Sequence, residues 1–336
     1  MAQTAVFRTD ASVAIGGGHV MRCIALAEAL EGQGWRCHFA GIPETPQTVR
    51  ALGNSRFDFI ALNNPTADAT IDALVARLGS ADAIIVDHYG LDARFEMKCR
   101  RMAKAVMVID DLCNRDHDCD VLLDTGWDRK VSDYAGRAPP DTVFLLGPAY
   151  ALLRPGFADA RKRMRPRIDL KRILVAFGAT DSEGFTKPVV EALLRHFDGA
   201  VDVVLGSGAP GLAGVRALAE RDSRQITLHI DTDRMSDLIL AADLAIGAGG
   251  TSTWERCCLG LPTLLIATAA NQRDNARALT EQGAAVVLAQ TDEVLPALRA
   301  LTNDRPRLTA MSMAAAQMCD GLGAQRVATK LTERLQ

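Results

Sequence analysis

The feature that most constrains this chain is an alternation, run through twice, of short strands that are apolar on both faces with stretches of helical spacing. In the first half, strands are predicted at 5–8, 36–40, 57–62, 83–87, 105–110, 121–124 and 143–147. Helices are predicted between several of them, at 19–30, 67–78 and 92–103; the first has apolar or small residues at 20, 23, 24, 27 and 30, the spacing of one helix face. Strands apolar on both faces and separated by helices imply a parallel sheet covered on both sides. A basic run at 159–171, DARKRMRPRIDLK, interrupts the pattern and reads as a solvated linker. Strands then resume at 172–177, 201–205, 226–230, 244–246, 263–267 and 285–288, and the chain closes in helical patterns.

The fold class that follows is α/β: two doubly wound, Rossmann-like domains, 1–158 and 159–336, facing each other across a cleft, with the last helix crossing back to the first domain. The length, 336 residues, is enough for two cores. Ligands in such sheets lie at the carboxyl ends of the strands, so residues directly after strands become the functional candidates.

Composition narrows the partners. A net charge of −3 supplies no global field for nucleic acid or an anionic membrane, so an anionic substrate has to be held locally. No stretch reaches the ~18 apolar residues of a membrane span. The opening MAQTAVFRTD reads as a strand of the fold and not as a signal peptide. Eight scattered cysteines, none in a Cys-x-x-Cys pair, read as buried free thiols of a reducing compartment. The expectations are a cytoplasmic monomer with no membrane or nucleic-acid partner, no metal and no cofactor.

The first strand runs out at Asp10, and Gly16-Gly17-Gly18-His19 follows at a helix start. A dinucleotide fingerprint would need glycine at 21, where Met21 stands. Gly18 and its neighbours still let backbone approach a ligand closely. His19, with an unperturbed pKa near ~6.5, is suited to take a proton from water, and a helix N-terminus disfavours the imidazolium. The alternative is a histidine that satisfies loop backbone. Asp10 is placed to orient the ring or to bind substrate. At another strand end, Asp87-His88-Tyr89-Gly90 groups a carboxylate, an imidazole and a phenol, as a site or as a turn with a packed tyrosine. Asp110-Asp111 reads as a turn, and Asp118/Asp120 and Asp231/Asp233 read as caps rather than Mg²⁺ ligands.

The second half carries the nucleotide signature. A strand ends in Gly247-Ala248-Gly249-Gly250, and Thr251, Ser252 and Glu255 open a helix. Glycines bring N–H groups up to phosphate oxygens, hydroxyls add donors, and Glu255 can accept both hydroxyls of a ribose. Ser252 as a cap with Glu255 completing a capping box is the structural alternative, and both can hold at once. Gly178-Ala179-Thr180 forms a further glycine loop, and Asn271 opens a later helix at the same edge.

In combination, Arg8-x-Asp10-x-Ser12, Gly16-x-Gly18-His19, Arg22, Asp87-His88-Tyr89-Gly90, Asp110-Asp111, Gly147-Pro148-x-Tyr150-x-Leu152-x-Arg154, the Gly-Gly-helix-Glu255 unit, Asn271-Gln272 and Asp320-Gly321-x-Gly323-Ala324-x-Arg326 resemble the UDP-2,4-diacetamido-2,4,6-trideoxy-β-L-altropyranose hydrolases of pseudaminic acid biosynthesis. The motifs cover residues 7 to 326. The resemblance implies a GT-B fold and metal-independent hydrolysis of a glycosidic C1–O bond by water, with inversion. It makes His19 the base and a UDP-linked sugar the partner. Asp10, Gly18, Arg22, Tyr89 and Asn271 would then contact the substrate, and Gly178, Thr180, Gly249, Gly250, Thr251, Ser252 and Glu255 the nucleotide. Ala179 departs from the family, which often has a second glycine there. A glycosyltransferase of the same fold and a non-catalytic nucleotide-sugar binding module are the alternatives.

Overall fold

The structure is a computed structural model that describes residues 2–64, 66–267 and 272–335. The chain divides into two compact units. One holds the residues up to Ile15, His19–Pro155 and those from Leu322 on; the other holds Gly16–Gly18 and Gly156–Gly321.

In the first unit the strands β1 (Thr4–Thr9), β2 (Arg36–Gly41), β3 (Asp58–Ala61), β4 (Ala81–Asp87), β5 (Ala103–Ile109), β6 (Val121–Asp124) and β7 (Val143–Leu146) form one parallel sheet. Its order is β3-β2-β1-β4-β5-β6-β7. The helices are α1 (Gly18–Glu31), the short α2 (Thr45–Thr48) and α3 (Arg50–Gly53), α4 (Ala67–Leu78) and α5 (Ala93–Cys99). Successive side chains of a strand point to opposite faces, and here both faces are buried. Phe7, Phe39, Ile85 and Met107 pack on one face with Leu26 and Leu30 of α1. Val6, Ala40, Ile84 and Val106 pack on the other with Ile71 and Leu74 of α4 and Phe95 of α5.

The second unit begins as α6 (Pro155–Arg161) leaves the first. Its strands are β8 (Arg172–Ala176), β9 (Ala200–Leu205), β10 (Ile226–Ile230), β11 (Leu244–Ala248), β12 (Thr263–Ile266) and β13 (Ala285–Leu288), ordered β10-β9-β8-β11-β12-β13. The helices are α7 (Thr186–His196), α8 (Leu212–Arg221), α9 (Met235–Ala241), α10 (Ser252–Cys258), α11 (Arg273–Glu281), α12 (Val294–Thr302) and α13 (Arg305–Met318). The final helix, α14 (Gly323–Arg334), places Val327, Ala328 and Leu331 in the core of the first unit. There Trp35 Nε1 donates to Thr332 Oγ1 at 3.2 Å.

Two expectations are corrected. The helix expected over 92–103 stops at Cys99, because Ala103 already pairs with Ala81 in the sheet. The basic run 159–171 is not a solvated linker. Arg167 is 5% exposed and donates to the carbonyls of Ile239, Ala242 and Leu259 at 2.9, 3.1 and 2.7 Å. Burial pushes its guanidinium pKa down to about 10. Arg161 likewise donates to the carbonyls of Ala316 and Cys319 at 2.6 and 3.0 Å, and also to that of Cys258. These two arginines tie the ends of α9, α10 and α13 to the start of the unit.

Both sheets reverse winding direction once, between β1 and β4 and between β8 and β11. At such a point the connections on either side diverge and leave a crevice beyond the strand ends. The residues after β1 and β4, and after β8 and β11, are the ones that the topology puts there.

Candidate functional site

The first crevice is built from β1, α1, β4 and the turn after β5. His19 is the second residue of α1, so its position is set by that helix and not by a mobile loop. Its Nδ1 lies 2.6 Å from Oδ1 of Asp87, the last residue of β4. Arg22, one turn along α1, grips the same carboxylate with Nε on Oδ2 and Nη2 on Oδ1, each at 2.6 Å. Burial alone would raise the pKa of Asp87, but Arg22 and His19 outweigh it and hold the carboxyl well below the usual range. An ionised oxygen at 2.6 Å from Nδ1 requires the ring proton there. The neutral ring then keeps its lone pair on Nε2, the form a general base needs.

Tyr89 closes one side of this pair. Its ring meets the imidazole edge to face, with centroids 4.5 Å apart. Its hydroxyl donates to Oδ2 of Asp111 at 3.2 Å, and Arg22 Nη1 reaches the same oxygen at 3.1 Å. Burial first, and Asp111 second, push the phenol pKa up, so Tyr89 stays a donor. Tyr89 is 40% exposed.

Asp10 does not meet the imidazole; Asp87 does. Asp10 is taken up by Arg8, whose Nη2 donates at 3.0 Å, by the Ile42 N–H at 3.0 Å and by His88 Nε2 at 3.2 Å. Burial would raise its pKa, and His88 and Arg8 reverse that and hold it well below normal. Gly90 N–H donates to His88 Nδ1 at 2.9 Å, so Nε2 carries the His88 proton toward Asp10. Asp110 does serve its turn, accepting from the N–H groups of Leu112 and Cys113 at 3.2 and 2.9 Å. The reading that Asp111 shares that turn duty misses its part in the site. Asp111 is 89 residues from Arg22, and no spacing rule connects them.

In the second unit, β8 runs into Gly178, whose φ of +101° only glycine adopts freely. Positive φ recurs at Asp181 but not at Ala179, so the alanine is accommodated there. Asp181 accepts from the N–H groups of Phe185 and Thr186, both at 3.0 Å, and Thr180 stands half-buried before it. The end of β11 is close-packed against β8: a Cβ on Gly247 would sit 2.2 Å from the Ala176 carbonyl oxygen. Gly249 N–H donates to Gln272 Oε1 at 3.0 Å. Gly250, Thr251, Ser252 and Glu255 follow, the last three half-buried. The capping reading of Ser252 is not what forms. Thr251 takes the N-cap position without a side-chain bond, and Ser252 Oγ accepts from Arg256 Nη1 at 3.1 Å. Arg256 also donates to the Ala248 carbonyl at 2.6 Å, joining strand end to helix start. It is 3% exposed, and burial pushes its pKa down to about 10. Sequence reasoning gave Arg256 no role. Asn271 lies outside the described residues.

Asp118 pairs with Arg100 at 2.8 Å, and Asp120 pairs with Arg100 at 3.0 Å while also accepting from Val106 N–H at 2.8 Å. Asp231 accepts from Ser207 N–H at 2.9 Å, a loop bond and not a helix cap. Among the described residues no three His, Cys, Asp or Glu side chains cluster as metal ligands, and no helix is long and apolar enough to cross a membrane.

Residues 172–327 match the family described as Glycosyltransferase family 28 C-terminal domain. The UDP-2,4-diacetamido-2,4,6-trideoxy-beta-L-altropyranose hydrolase of Campylobacter jejuni is 25% identical over 285 residues, covering 83% of this chain and 96% of that protein. The UDP-N-acetylglucosamine–N-acetylmuramyl-(pentapeptide) pyrophosphoryl-undecaprenol N-acetylglucosamine transferase of Nitratidesulfovibrio vulgaris is 32% identical over 213 residues, covering 57% of this chain and 58% of that protein. Against two further relatives, a Methanocaldococcus jannaschii protein and the Bacillus subtilis spore coat polysaccharide biosynthesis protein SpsG, the chain spans about half the relative's length, 54% and 44%. The crystal structure of Acinetobacter baumannii MurG superposes with a TM-score of 0.67 at 16% identity, covering 98% of this chain and 99% of that one. The chain has the two-domain α/β fold of the GT-B class.

Proposed function

We propose that this chain is an enzyme acting on a UDP-linked sugar, and that it hydrolyses the glycosidic C1–O bond of UDP-2,4-diacetamido-2,4,6-trideoxy-β-L-altropyranose or a close relative. The observation that carries the reading is the His19–Asp87 pair, an imidazole whose Nδ1 proton is fixed by a buried carboxylate at 2.6 Å. Nε2 takes a proton from water as the water oxygen bonds to the anomeric carbon. The C1–O bond breaks, its electron pair leaves on the diphosphate, and UDP and the free sugar result with inverted configuration. Tyr89 and the backbone at Gly18 border the sugar, and Arg22 holds Asp87. The loops Gly178–Thr180 and Gly249–Ser252 take the diphosphate, with Glu255 on the ribose. Asn271 completes the substrate contacts in this reading. The hydrolase relative and the match of residues 172–327 support the substrate class.

The purified protein, given this UDP-sugar without acceptor or added metal, is expected to release UDP. His19→Ala is expected to lose that activity while still binding UDP. UDP that remains sugar-bound with the native protein would reject the reading. The 32% identity to an N-acetylglucosamine transferase favours one second reading, transfer to an acceptor. A new glycoside formed from added acceptor would establish it.

A further inference from the structure

Tyr89 lies on an exposed corner, yet its ring sits at a defined angle to His19. A side chain alone does not hold such a corner still; its backbone must be tied. The carbonyls on either side of it, of His88 and Leu91, both accept from one guanidinium, that of Arg115, at 3.4 and 2.9 Å. Arg115 Nη1 is anchored in turn on Oδ1 of Asp110 at 2.8 Å. Asp110 adjoins Asp111, which receives the Tyr89 hydroxyl. The links form a closed circuit from Arg115 through Asp110, Asp111 and Tyr89 back to Arg115.

The anchor is itself buried and fixed. Tyr134 places its hydroxyl 2.7 Å from Asp124 Oδ2 and 3.1 Å from Asp110 Oδ2. One hydroxyl hydrogen serves one acceptor, and the shorter contact, to Asp124, is the better placed to receive it. Asp124 is held in its turn by Arg129, whose Nε lies 2.5 Å from the same Oδ2. At Asp110, His117 and Arg115 override burial and hold the carboxyl well below its usual range. On the far side His117 lies between Asp110 at 3.5 Å and Glu96 at 2.8 Å, with both of these carboxylates buried.

We propose that Arg115 is a positioning residue that fixes the Tyr89 corner and so sets the ring against His19. The proposal rests on the reading of His19 as the base. It commits Arg115 to acting through Tyr89, since the guanidinium touches the backbone on both sides of that residue.

Two measurements test it. The three tyrosines, at 89, 134 and 150, are replaced by 3-fluorotyrosine, and the Tyr89 signal is assigned by its loss in Tyr89→Phe. Arg115→Met is expected to shift or broaden the Tyr89 fluorine resonance and leave that of Tyr150 in place. UDP release is then compared in a double-mutant cycle. Arg115→Met is expected to lower kcat roughly tenfold in the native background and less than twofold in a Tyr89→Ala background. An unmoved Tyr89 resonance, or an equal loss in both backgrounds, overturns the proposal. Arg115→Lys replaces Arg115→Met in both measurements if the latter does not fold, because it keeps the charge on Asp110 and gives up the fork to the two carbonyls. If the native protein releases no UDP, the reading of His19 fails, and the fluorine measurement alone still decides Arg115.

Discussion

Nδ1 of His19 stands 2.6 Å from Oδ1 of Asp87, and the same oxygen receives Nη2 of Arg22 at 2.6 Å. One buried carboxylate therefore does two things: it fixes the imidazole tautomer and neutralises a buried guanidinium.

Asp87→Asn separates these roles. The amide no longer requires a proton on Nδ1, and UDP release is expected to fall by about 10²-fold or more, within the range of general-base catalysis. Arg22 also loses the nearer of its two counter-charges, keeping Asp111 at 3.1 Å, so the cost should stay below the about 3–5 kcal/mol of a buried pair broken outright. Urea unfolding and turnover, measured on the same preparation, check both. A variant as active as the native protein would remove Asp87 from the mechanism.

Stability should depend on pH at both ends of the range. Asp87 and Asp10 have depressed pKa values in the folded chain, so their contribution is present above the unfolded value near ~4 and is lost as pH falls below it. For His117, burial lowers the pKa, but Asp110 and Glu96 outweigh burial and raise it to about 9. Its contribution is full below the unfolded value near ~6.5 and is lost as pH rises through about 9. Thermal melts from pH 3 to 10 should show a Tm plateau at about pH 4–6.5, and the alkaline decline should flatten in His117→Gln. An unchanged alkaline limb in that variant would rule His117 out as its source.

Arg167→Met should destabilise the second unit far more than a surface arginine would. Three carbonyls of the α9–α10 region lose their buried donor, at about 1–3 kcal/mol for each group left unsatisfied. Chemical denaturation that shows less than about 1 kcal/mol of change would restore the linker reading.

Glu255→Ala is expected to weaken UDP binding about tenfold, or ~1.4 kcal/mol, with Tm nearly unchanged. Isothermal titration with UDP and with uracil diphosphates lacking the ribose hydroxyls measures it. Equal weakening for both ligands would place Glu255 away from the ribose.

Much of the fold was legible because the strands are apolar on both faces, a pattern that survives without knowledge of partners. α5 was drawn too long because Met102 and Ala103 suit a helix face as well as a strand, and only pairing with Ala81 decides. Arg167 was misjudged because a run of Arg and Lys looks like solvent-facing sequence. Its acceptors lie at 239, 242 and 259, and no local pattern encodes them. The structure brings His19 and Tyr89, each singled out by its place after a strand, into ring contact. The linking groups, Asp111 and Arg115, were not legible, since the bonds that tie them to Arg22, Tyr89 and the Leu91 carbonyl span 22 to 89 residues. The strand-end place of Asp10 left it open to orienting the ring or binding substrate; Arg8 and His88 occupy it, and Asp87 is the carboxylate that meets the ring.

The central claim is that water, activated at His19, attacks the anomeric carbon. Turnover of the UDP-linked sugar in ¹⁸O-water, read by mass spectrometry of both products, tests it most directly. His19-base catalysis predicts one ¹⁸O in the free sugar and none in UDP, with the signal lost in His19→Ala. Label in the UDP phosphate, or no release of UDP at all, would contradict it.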